Sequence, residues 1–219
     1  IEIEAEENSD VKIYISQRFS LEVLSIQSVY YRVKENANVE FVQVDLGGRE
    51  NYVSYIGDLV DNNSNVNVNS IYFGKNEQKL DFNYVATQRG RATNYDLAIK
   101  GALADRAQKT CKVTIDFKRG SSTSKGSEEE YVTLLSDDIK NVAVPILVCT
   151  EDDVEGIHAA SAGKIDENIL FYIMSRGFSE SEAKRLILES KFAETIDLIE
   201  NEEIRKRVYT TLSKKLSEV

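Results

Sequence analysis

Residues 144–177 read VPILVCTEDDVEGIHAASAGKIDENILFYIMSRG, and the chain changes character inside them. Upstream the text is a series of short β-type runs; downstream it is helical. The same stretch holds the single proline, Pro145, the single histidine, His158, the single methionine, Met174, and one of two cysteines, Cys149. Chemistry that needs a proton carrier near neutral pH, or an imidazole ligand, has little else to draw on.

Upstream, the runs include VKIYIS (11–16), VEFVQVDL (39–46), VNVNSIYF (66–73), LDFNYVAT (80–87), CKVTIDF (111–117) and YVTLL (131–135). Apolar and polar residues alternate in several, as in strands with one buried face. Asn, Gly and Asp separate them. Three runs open alike, with asparagine-bearing entries before Val11, Val39 and Val66, 28 and 27 residues apart. Two strand runs per period of roughly 25–30 residues predict a solenoid of β coils. A β-sandwich also gives short strands at close spacing and is the competing fold. Residues 119–127 (RGSSTSKGS) read as a flexible loop.

Downstream, Asp166 is an N-cap, ENILFYIMSR a first helix and Gly177 its terminator. The unbroken apolar run 169–174 predicts burial of that helix. Ser179 and Glu182 form a capping box opening a second helix, which runs to about Glu200. A third starts near Glu202, with Ile204, Val208, Leu212 and Leu216 on one side. The expectation is a mainly β chain: a β-helix core over 1–160 and a small helical domain over 161–219. The helices are expected to cover the open edge of the last coil.

Composition sets limits. A net charge of −10 over 219 residues argues against a nucleic-acid binder. No apolar run approaches the roughly 20 residues needed to span a bilayer. Two cysteines form no disulfide framework, and a reducing cytoplasm is the expected location. Signatures such as CxxC, HExxH, GxSxG and a phosphate-binding loop are absent. The lack of tryptophan and of a recognisable acid pair argues against a glycan-cleaving β-helix enzyme. Cys111 and Cys149 both read as small core hydrophobes, and residues 151–153 as a solvated acidic turn.

Leu134-Leu135-Ser136-Asp137-Asp138, Pro145, Asp152-Asp153-Val154, His158, Ile165-Asp166-Glu167, Leu170-Phe171-Tyr172 and Ser175-Arg176-Gly177 together resemble the SufB/SufD family of iron–sulfur cluster assembly proteins. The resemblance is sharp over 131–178. It implies a right-handed parallel β-helix with a C-terminal helical domain. Ile157-His158-Ala159-Ala160-Ser161, with no flanking glutamate, and Ser136 where the SufB branch has a nearby cysteine, lie closer to the SufD branch. Ile157 and Ala159 depart from the usual S-H-G-A-T. An N-terminal region typical of the family is not in this sequence, as in a truncated or divergent member.

The resemblance further implies a non-catalytic scaffold subunit. Its partners would be a SufC-like ABC ATPase, docked on the helices around Tyr172, Arg176 and Phe178, and a SufB/SufD-like subunit or a second copy of the chain. His158 would ligate iron or a transient iron–sulfur cluster at a subunit interface, with neither held by this chain alone. The alternative is a structural or protein-interaction solenoid that has lost the iron–sulfur chemistry.

Overall fold

Asparagines placed at a fixed interval predict where the backbone turns, and the computed structural model, described over residues 1–217, bears this out. Asn8, Asn36 and Asn63 all have positive φ (60°, 55° and 57°), the left-handed conformation asparagine tolerates best. Their side chains form a ladder, Asn63 donating to Asn36 and Asn36 to Asn8, each at 3.2 Å. Ala92 and Thr123 occupy the same corner of the next two coils (φ 54° and 60°).

Between corners the chain alternates between two six-stranded sheets. One holds β1 (Glu2–Ala5), β3 (Leu24–Val33), β5 (Glu50–Leu59), β7 (Lys79–Gln88), β9 (Gln108–Phe117) and β11 (Lys140–Cys149). The other holds β2 (Asp10–Gln17), β4 (Asn38–Asp45), β6 (Asn65–Gly74), β8 (Asn94–Leu103), β10 (Ser124–Leu134) and β12 (Val154–Gly163). Each strand pairs in parallel with the strand two ahead, the arrangement of a β-solenoid of about six turns. Val11, Val39 and Val66 are direct register partners. The parallel pairing excludes the antiparallel sandwich. Residues 119–127 are not all loop: β10 begins at Ser124, with Ser124 and Gly126 buried. Their small side chains fit the lumen, while their polarity reads as loop.

The lumen is packed with aromatic rings. Tyr31, Phe41, Tyr55 and Tyr84 follow one another at centroid separations of 5.2–5.3 Å. A Cβ on Gly57 would lie 1.9 Å from the ring of Tyr31, so only glycine fits there. A buried polar knot interrupts the apolar filling. Asp45 accepts from Gln43 and Asn51, each at 2.9 Å, and Tyr55 donates to Gln43 at 2.7 Å. Burial pushes the Asp45 carboxyl up to about 6, against those two stabilising hydrogen bonds.

A second core lies outside the solenoid. Strands β4 and β6 are buried on both faces toward their C-terminal ends. Their outward residues Val42, Val44, Ile71 and Phe73, with Ala102 of β8, meet Leu188, Phe192 and Ile196 of α2 (Glu180–Ile196). Helix α3 (Glu202–Leu216) completes this core through Val208, Leu212 and Leu216. The capping box at Ser179 is present, as expected. Residues 218–219 of the expected helical domain lie outside the described residues.

Two expectations are corrected. The helices lie against the flank of the second sheet, where Val42, Val44, Ile71 and Phe73 face outward, and leave the last coil open. Helix α1 (Glu167–Met174) is not buried either. None of its residues is buried, and Phe171 is 73% and Tyr172 59% exposed. Helix α2 already covers the sheet, and α1 packs only in part against α2, with Leu170 and Ile173 half-buried.

Candidate interface site at the open end

The last coil is exposed on both faces. Along β11, Val144, Leu147 and Val148 are accessible, as is Ile157 on β12. Cys149 is also exposed, contrary to the expectation of a core hydrophobe. Its neighbours Leu147 and Val148 are apolar as read, but they too are exposed at the last coil. Cys111 on β9 is buried as expected. Burial, and then the nearby Glu130 carboxylate, pushes its thiol well above the usual range, so it is not a ready thiolate nucleophile.

Just inside this open end the lumen becomes charged. Lys109 on β9 and Glu130 on β10 form an ion pair at 2.5 Å, with side-chain exposures of 0% and 1%. Two residues before Glu130, and therefore on the same inward face, Glu128 meets His158 of β12. The two are register partners, and Nδ1 of the imidazole lies 2.7 Å from Oε2 of the glutamate. Glu128 is 2% and His158 19% exposed at the side chain. Burial raises the Glu128 carboxyl, and the hydrogen bond to His158 opposes that rise. Nε2 of His158 is buried without a hydrogen-bond partner among the described residues.

His158 thus sits on the last strand, as the sequence implies, but it faces the lumen. Among the described residues no three of His, Cys, Asp and Glu converge as a metal site. Glu151, at the acidic turn, accepts from the backbone N–H of Gly120 at 2.9 Å, which holds its carboxyl below the usual range. Ser136 accepts from the N–H of Asp105 at 2.8 Å. Tyr172, Arg176 and Phe178 cluster away from this site, around α1. Arg176 donates to the Tyr172 hydroxyl at 3.1 Å and lies over its ring, 5.1 Å from the centroid. Phe178 is 44% exposed.

Sequence reasoning did not find Lys109, Glu128 and Glu130. A Glu-Glu-Glu run reads as a solvated face. The only signal was parity: Ser124, Gly126, Glu128, Glu130 and Val132 share one face of β10 and all are buried.

These features define a parallel β-solenoid with a helical appendage and a polar site at an uncovered coil. The chain belongs to the SufB/SufD family: residues 1–191 match the family described as SUF system FeS cluster assembly, SufBD core domain. It is 29% identical over 147 residues to the iron–sulfur cluster assembly protein SufD of Bacillus subtilis, covering 67% of this chain and 34% of that protein. It is 29% identical over 188 residues to an iron–sulfur cluster assembly SufBD family protein of Pyrococcus horikoshii, covering 84% and 41%. A Mycobacterium leprae SufBD family protein is 23% identical over 196 residues, covering 90% and 22%. The chain therefore spans well under half the length of these relatives. The Bacillus match supports the SufD-like branch. No helix among the described residues is long and apolar enough to cross a membrane.

Proposed function

We propose that this chain is a non-catalytic scaffold subunit of a SUF-type iron–sulfur cluster assembly complex. The observation that carries the reading is the open last coil, apolar and uncovered, with the unpartnered Nε2 of His158 beside it. A SufB/SufD-like subunit, or a second copy of the chain, covers β11 and β12. Iron or a nascent cluster is the cargo; His158 supplies one ligand and the covering subunit supplies the rest. A SufC-like ABC ATPase docks on α1, where Phe171, Tyr172 and Phe178 are exposed.

The test is co-expression with SufB- and SufC-like partners, anaerobic purification, and iron and sulfide analysis. His158→Ala is expected to leave the complex assembled and to lower its iron content. Unchanged iron content in an intact complex would favour the reading of an interaction solenoid that has lost the chemistry.

A further inference from the structure

His158 is held through one ring nitrogen only, and which proton it carries decides what the other nitrogen does. Three arrangements satisfy the 2.7 Å contact to Glu128. In the first, Nδ1–H donates to the carboxylate and Nε2 keeps a free lone pair. In the second, an imidazolium donates from Nδ1 and leaves a buried Nε2–H with no acceptor. In the third, a protonated Glu128 donates to Nδ1, and Nε2–H is again orphaned.

Buried N–H groups without acceptors are rarer in proteins than under-satisfied acceptors, because each carries the full desolvation penalty of the donor. The first is therefore the least costly.

We infer that Glu128 is a positioning residue: it fixes His158 as the Nδ1–H tautomer and so makes Nε2 the ligating nitrogen. A carboxylate behind the ligating imidazole is a common device for fixing tautomer and ring orientation. The inference rests on the proposed ligand role of His158, but the tautomer can be read without metal or partner.

Because the chain has one histidine, the ring signals of untagged, ¹⁵N-labelled protein assign themselves. Long-range ¹H–¹⁵N correlation at pH 8 should show a protonated, pyrrole-type Nδ1 and a pyridine-type Nε2. Glu128→Met, which removes the acceptor for Nδ1–H, should release the ring and populate the Nε2–H form. A pyridine-type Nδ1 in the parent, or a variant whose tautomer does not change, would overturn the inference; the parent spectrum decides even if the variant fails to fold. In the assembled complex, Glu128→Met should weaken iron retention about 10–100-fold, and retention equal to the parent's would also overturn the positioning role. If His158→Ala itself leaves retention unchanged while the parent tautomer is as stated, the proposed function fails and the tautomer assignment stands.

Discussion

Burial alone raises the proton affinity of Asp45, and stability must follow. Its folded pKa of about 6 exceeds the ordinary value of 3.8, so between these values the folded chain holds a proton that the unfolded chain has lost. The stabilisation is complete below about pH 4 and disappears as pH rises through about 6, roughly 3 kcal/mol in all. Asp45→Asn should remove this loss. Urea denaturation at pH 4 and pH 7 should show a smaller drop in the variant than in the parent; parallel drops would contradict the account. The Lys109–Glu130 pair gives a second case. Lys109→Met strands a carboxylate in the lumen and should cost about 3–5 kcal/mol, whereas Lys109→Met with Glu130→Leu should recover most of it. A double-mutant cycle by thermal unfolding checks this. Neither Asp45 nor the Lys109–Glu130 pair was legible beforehand. A lysine or glutamate at an inward position looks identical in sequence to one facing water, and its burial depends on where the next coil lies.

Elements were more legible, because repetition carries phase. The asparagine entries mark successive turns of one corner, and three valines behind them became register partners. The ladder then breaks at Ala92, an exposed alanine held at φ 54°. L-residues other than Asn, Asp and Gly pay about 1–2 kcal/mol in that conformation. Ala92→Asn should raise stability by about 1 kcal/mol, read as a higher urea midpoint with an unchanged slope. A lower midpoint would mean that the corner tolerates alanine for a reason not in its backbone. Gly57→Ala should act oppositely, losing about 1–3 kcal/mol or more as the Tyr31 ring is forced aside. The helices were legible as helices through their caps, but not in placement. Nothing in α1 or α2 alone says that the outward faces of β4 and β6 would claim α2 and leave α1 uncovered.

For the whole molecule, that placement separates two roles that the sequence had merged. Removing 165–219 would strip the second core and expose Val44, Ile71 and Phe73, so loss of a partner after that deletion would report misfolding. Phe171→Asp is the cleaner test. Phe171 is 73% exposed, so the change should alter stability by less than about 0.5 kcal/mol. Capture of a SufC-like ATPase should nonetheless fall at least tenfold, measured by pull-down with purified partner. Undiminished capture would place the docking surface elsewhere.

The column of rings inside the solenoid also makes the protein its own optical gauge. Tyr31, Tyr55, Tyr72, Tyr84 and Tyr95 are fully buried, and burial raises each phenol above its usual value. There is no tryptophan to mask them. Alkaline titration followed by phenolate absorbance reads them directly. The five inside should stay silent until the coils come apart, then ionise together in one steep, cooperative step. Because an unfolded phenol ionises at lower pH than a buried one, raising the pH itself drives that step. The ultraviolet trace would thus report the integrity of the solenoid, coil stack and all, without any added probe.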